Sequence, residues 1–141
     1  MNILVATDGS DVSDTAVEHA AAEADAWDAP LEIVHVLTPE TKLVDGTLVL
    51  PGEDEAVEQG ERTLVQAERR AIETVANGDL EAETKLLAGR PAQAIVDRAA
   101  EIDARGIYVG HRGLSEERER VVGSVAKTVV DKATVPVTIV K

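Results

Sequence analysis

The 141-residue sequence predicts an α/β fold, an open five-stranded parallel sheet, doubly wound, with helices on both faces. Three observations carry that expectation. Runs such as NILVAT (2–7) and LEIVHVL (31–37) are nearly continuously apolar, as strands buried on both faces must be. Between such runs lie segments with apolar residues at helical spacing. The two kinds alternate, five strands to four helices, and parallel neighbours need a helical crossover to connect them.

Each element has a local reason. After the first strand, Val12, Ala16, Ala20, Ala24 and Trp27 recur at helical spacing, with Ser and Asp to cap the start and Pro30 beyond the end. LEIVHVL is the second strand. A long polar helix runs from about Glu53 to Asn77, with Leu64, Val65, Ile72 and Val75 on one side and Gly78 as its C-terminal cap. LEAETKLL (80–87) is strand three, and RPAQAIVDRAAEID (90–103) a helix with Pro91 in its first turn. GIYVG (106–110) is strand four, SVAKTVVDKA (124–133) the last helix, and VPVTIVK (135–141) the closing strand. In the connection 38–53, Asp45-Gly46 between apolar runs signals a hairpin, read as structural cover with a lid as the alternative.

The chain length bounds the answer to one domain spanning 1–141. No apolar stretch approaches a membrane span, no leader pattern is present, and the cytoplasm is the expected compartment. Without cysteine there is no disulfide or thiolate chemistry. Trp27 and Tyr108 are the only aromatics, so the core must be built from Val, Ile, Leu and Ala. A net charge of −13 disfavours nucleic acid as a partner. The charge is first a solvated surface; adaptation to a salty interior, where carboxylate repulsion is screened, is the sharper reading.

In a doubly wound sheet, ligands bind beyond the carboxyl ends of the strands where the winding order reverses. The informative loops therefore follow the strands, at 8–11, 38–53, 88–90 and 111–123. Gly110 ends a strand, where a missing Cβ permits close approach. Gly123-Ser124 opens a helix, whose first N–H groups lack partners and favour an anion. Ser124 can cap that helix or give its hydroxyl to a phosphate.

Gly110, two residues, Gly113, nine residues, Gly123 and Ser124 together form G-x2-G-x9-G-[S/T], the nucleotide-phosphate pattern of the universal stress protein family. NILVATDGSDVS, LEIVHVLTP, GRPAQAIVDRA and GSVAKTVVDKATVPVTIVK also resemble that family, and only 39–60 is unfamiliar. The resemblance implies a Rossmann-like, ATP-binding protein. It implies that Gly110, Gly113, Gly123 and Ser124 meet the phosphates. Asp8 would bond the ribose or lie near a Mg2+ ion, and Val36 would offer backbone groups to adenine. Thr7, Arg112 and Val125 complete the implied set. For Asp8 the alternative is an aspartate organising its own turn.

The segment LSEERERVV is more charged than the family leads one to expect. Arg118 and Arg120 either offset phosphate charge or pair with Glu116, Glu117 and Glu119. Arg112 and Lys127 are the better cations, and binding is expected to need divalent metal. His19 and His35 suggest no metal cluster, and His111, beside the site, reads first as a solvent-facing loop residue, with a phosphate contact as the alternative. No catalytic residues are assigned: there is no Ser-His-Asp order, no paired glycosidase carboxylates and no P-loop. The function expected is a regulatory stress protein in which ATP occupancy biases conformation or assembly. The alternatives are a slow ATP-hydrolysing or nucleotidyl-transfer enzyme, and a scaffold that binds no nucleotide. The closing strand, with Pro136 at its start, reads as an apolar edge strand, and pairing through 136–140 predicts a homodimer.

Overall fold

The computed structural model describes residues 2–38, 42–44, 47–49, 53–76, 78–112 and 122–141. In chain order the elements are β1 (Asn2–Ala6), α1 (Asp11–Ala26), β2 (Leu31–Leu37), β3 (Lys42–Val44) and β4 (Thr47–Val49). These are followed by α2 (Glu53–Thr74), β5 (Ala82–Ala88), α3 (Pro91–Glu101), β6 (Ala104–Gly110), α4 (Ser124–Lys132) and β7 (Val137–Val140). The main sheet has the order β5-β2-β1-β6-β7, and all its pairings are parallel. The doubly wound sheet expected from the alternation of elements is therefore present. From β1 the chain winds outward through β2 to β5, then crosses to β6 and β7 on the other side. The switch point lies at the carboxyl ends of β1 and β6.

Alternation of side chains across the strands divides the core in two. Ile3, Val5, Leu31 and Ile33 face α1 and α2, while Leu4, Val34, Ile107 and Val109 face α3 and α4. Ala16, Ala20 and Ala24 of α1 are fully buried, so small side chains on the helix stand opposite branched ones on the sheet. This arrangement fills the interior without phenylalanine. Among the described residues no helix is long and apolar enough to cross a membrane.

Three expectations are corrected. On α2 the inward stripe is Leu64, Ala67 and Ala71, with Val75 packed beyond it, whereas Val65 and Ile72 are 54% and 50% exposed. Successive helix positions differ by about 100°, so Leu64 and Val65 cannot both face the sheet. Trp27 leaves the apolar face of α1: it caps the helix end, donates Nε1–H to Glu23 at 2.8 Å and stacks under Arg105. Gly78 does not take the left-handed conformation of a glycine cap. A Cβ there would instead collide with the Asp25 carboxylate, so close approach is what glycine permits. The hairpin strands β3 and β4 pair antiparallel, Leu43 opposite Leu48. The turn residues Asp45 and Gly46 lie outside the described residues.

Candidate functional site

A cleft of about 470 Å3 opens at the switch point, between the carboxyl ends of β1, β2 and β6 and the first turns of α3 and α4. Thr7, Asp8, Val36, Gly110, Arg112, Gly123, Ser124 and Val125 all line it. Gly113 and the charged stretch 114–121, with Arg118 and Arg120, lie outside the described residues. Lys127 is exposed and is not among the residues lining the cleft. The structure also brings to the cleft residues that the sequence did not assign to it: Ser13, His35, Pro91 and Ile95.

The loop after β1 is a tight hydrogen-bonded knot. Ser10 Oγ accepts the Ser13 N–H at 3.2 Å and caps α1. The Ser13 hydroxyl, buried, donates back to the Ser10 carbonyl at 2.9 Å and meets Thr7 Oγ1 at 3.0 Å. Asp8 Oδ1 accepts the Ser10 N–H at 3.0 Å, the self-bonded turn expected of an aspartate here. Asp8 also lines the cleft, so the residue that forms this turn stands at its wall. Gly9 sits at φ 84°, a left-handed conformation that lets the chain turn into α1.

The backbone of β2 offers a second set of groups. In a parallel ladder both polar groups of one residue point to the same side, and the side alternates along the strand. The Val34 carbonyl accepts the Thr7 N–H at 2.9 Å, so Val34 points toward β1. Val36 points the same way, but β1 ends at Ala6, which is paired with Val34. Its N–H and C=O therefore face past the end of β1 at the cleft.

The third wall is the start of α4. Gly123 is its N-cap, at φ −66° and ψ 163°, and has no side chain with which to cap it. Ser124 is the first helical residue, not the cap. The first N–H groups of the helix point toward the cleft with the positive end of the helix dipole behind them. Such an end favours an anionic group. Among the described lining residues Asp8 is the one carboxylate and Arg112 the one permanent cation.

His111 corrects another expectation. It is 5% exposed, with Nδ1 3.3 Å from the Val140 carbonyl, and so it faces the closing strand and not solvent. No run of sequence signals that contact, because Val140 is distant in the chain.

All 141 residues match the model of the universal stress protein family. The chain belongs to that family. A universal stress protein of Thermus aquaticus is 38% identical over 140 residues, spanning 99% of this chain and 97% of its own. The universal stress protein YxiE of Bacillus subtilis is 34% identical over 148 residues, spanning 99% and 97%. Among solved structures, the universal stress protein from Archaeoglobus fulgidus in complex with dAMP superimposes with a TM-score of 0.78 at 32% identity, covering 100% of this chain and 98% of its own. A universal stress protein in complex with cAMP gives 0.74 at 30% identity, covering 99% and 94%. These likenesses span the whole chain, including the least familiar connection after β2.

Proposed function

We propose that this universal stress protein binds an adenine nucleotide in the switch-point cleft, with ATP as the working ligand, and that occupancy biases its conformation or assembly. The observation that carries the reading is the start of α4, where a helix without a side-chain cap opens into the cleft. Adenine nucleotides held by two relatives, dAMP and cAMP, support the ligand class.

The geometry supports the roles that the family resemblance implies. The N–H groups of Ser124 and Val125 and the Ser124 hydroxyl would meet phosphate beside Gly110, which lines the cleft at the end of β6; the glycine spacing adds Gly113, outside the described residues. Thr7 belongs to the wall after β1, beside Asp8. Asp8 would take a ribose hydroxyl or, through water, a Mg2+ ion carried by the phosphates. Arg112 would offset phosphate charge. Val36 would present its N–H and C=O to the adenine edge. No group of three or more metal-ligating side chains occurs among the described residues. One carboxylate nevertheless fits Mg2+, which takes its remaining ligands from water and phosphate. Such an ion would supply the positive charge that a −13 chain lacks.

Analysis of the supernatant after denaturing the purified protein is expected to find ATP with the wild type and none with Gly123→Val. The N-cap φ of Gly123 suits any residue, so this variant adds bulk at a position lining the cleft without a φ penalty. ATP released equally by both would overturn the phosphate assignment, and none from either would favour the scaffold. Excess EDTA is expected to weaken ATP binding, and unchanged affinity would remove Mg2+ from the reading. The edge position of β7 supports a homodimer through 136–140. A monomeric mass by light scattering at micromolar concentration would sink it.

A further inference from the structure

The Thr7–Asp8 peptide plane is held from both ends. Its carbonyl oxygen lies 2.8 Å from His35 Nδ1, and its N–H donates to Ser13 Oγ at 3.4 Å. Thr7 Oγ1 accepts the Gly9 N–H at 3.2 Å, which ties the next residue to the same point. A carbonyl only accepts, so Nδ1 carries the proton of this bond. The imidazole has little room to turn. It sits on β2 beneath α2, and a Cβ added to Gly60 would stand 3.1 Å from His35 Cδ2. A rigid strand and a packed helix thus aim one donor at the carbonyl immediately before Asp8.

We propose that His35 is a positioning residue for the cleft. By donating Nδ1–H to the Thr7 carbonyl it sets the orientation of the Thr7–Asp8 peptide, and through it the Asp8 carboxylate. Without that donor the carbonyl can rotate toward water, and Gly9, already at φ 84°, gives the loop the freedom to follow. The consequence for affinity rests on the nucleotide reading above; the consequence for the loop does not.

Two variants and two readouts test it. His35→Leu removes the donor, whereas His35→Asn keeps an N–H near the position of Nδ1. In ATP titrations His35→Leu is expected to weaken binding by about tenfold or more, and His35→Asn to stay within about threefold of wild type. In the ligand-free protein, nitrogen NMR is expected to show the proton on Nδ1. Amide exchange at Gly9 and Ser10 is expected to rise about tenfold in His35→Leu, with Val5 unchanged. Wild-type ATP affinity in His35→Leu would overturn the proposal. So would His35→Asn binding as weakly as His35→Leu at an equal thermal midpoint. If wild type binds no ATP, the nucleotide reading fails by itself. An Nε2-protonated ring, or unchanged exchange at Gly9 and Ser10, would then overturn the positioning role.

Discussion

The N–H of Gly123 donates to the carbonyl of His111 at 2.5 Å, so the loop leaving β6 and the start of α4 meet through backbone. His111 also donates its own N–H to the Val140 carbonyl at 2.8 Å. One buried residue therefore joins the sheet edge at β7 to the helix end that faces the cleft. Replacing His111 by Ala leaves those backbone bonds but removes the ring that also faces Val140. The expected cost is about 1–3 kcal/mol in urea unfolding. A loss below about 0.5 kcal/mol would show that the ring adds nothing to the backbone pairing.

Gly110 is needed for space. A Cβ there would stand 2.8 Å from Val12 Cγ1 and 3.4 Å from the Ser13 N. Gly110→Ala is expected to cost about 1–3 kcal/mol by overpacking. Adding Val12→Ala should recover part of that loss, because Val12 is the side chain in the way. Thermal midpoints of the two single variants and the double variant give the coupling directly.

Glu32 is 7% exposed within β2 and accepts two bonds from Arg98 of α3, each 2.7 Å long. The charge-assisted pair raises the Arg98 pKa, chiefly through the hydrogen bond to Glu32. Arg98→Met would leave a buried carboxylate without its guanidinium and is expected to cost about 3–5 kcal/mol. Replacing both, as Glu32→Leu with Arg98→Met, should cost much less. Chemical denaturation of the three variants checks this, and equal losses in the single and double variants would refute it.

Asp14 gives a pH dependence of defined sign. Burial raises its pKa above the ordinary carboxyl value, against the pull of Arg70 at 3.6 Å, and neighbouring carboxylates add to the rise. Between the ordinary and the raised value the folded chain holds more protons than the unfolded chain. Stability therefore falls as pH rises through that interval. Asp14→Asn is expected to raise the urea midpoint at neutral pH, with the gain fading below about pH 4. A gain that persists undiminished at pH 3 would contradict it.

The charge of −13 sets the response to salt. Repulsion among surface carboxylates is expected to destabilise the fold at low ionic strength and to be screened in molar KCl, where the Debye length is about 3 Å. The thermal midpoint should rise steadily with KCl. A flat profile would mean that the acidity is only a solvated surface.

The alternation of elements was legible because it rests on short-range pattern: buried parallel strands are apolar throughout, and their crossovers carry helical periodicity. The glycine spacing and the family resemblance likewise pointed to Asp8, Val36, Gly110, Gly123 and Ser124, which line one cleft, and to Gly113, which lies outside the described residues. Their functional assignment stands as a proposal. The sequence overcounted the inner face of α2, because Val65 and Ile72 are as apolar as residues that are buried. It undervalued His35 and His111, whose partners are a carbonyl before Asp8 and another at the end of β7. A lone histidine carries no local sign of a distant partner.

What the sequence by itself determined was the kind of each element and its place in the alternation, since periodicity and turn chemistry act within a few residues. Only the tertiary structure decided which face of α2 is buried, that Glu32 meets Arg98, and that His35 and His111 meet the carbonyls of Thr7 and Val140. Those outcomes depend on contacts between residues far apart in the chain, and such contacts exist only once the sheet has brought its strands together.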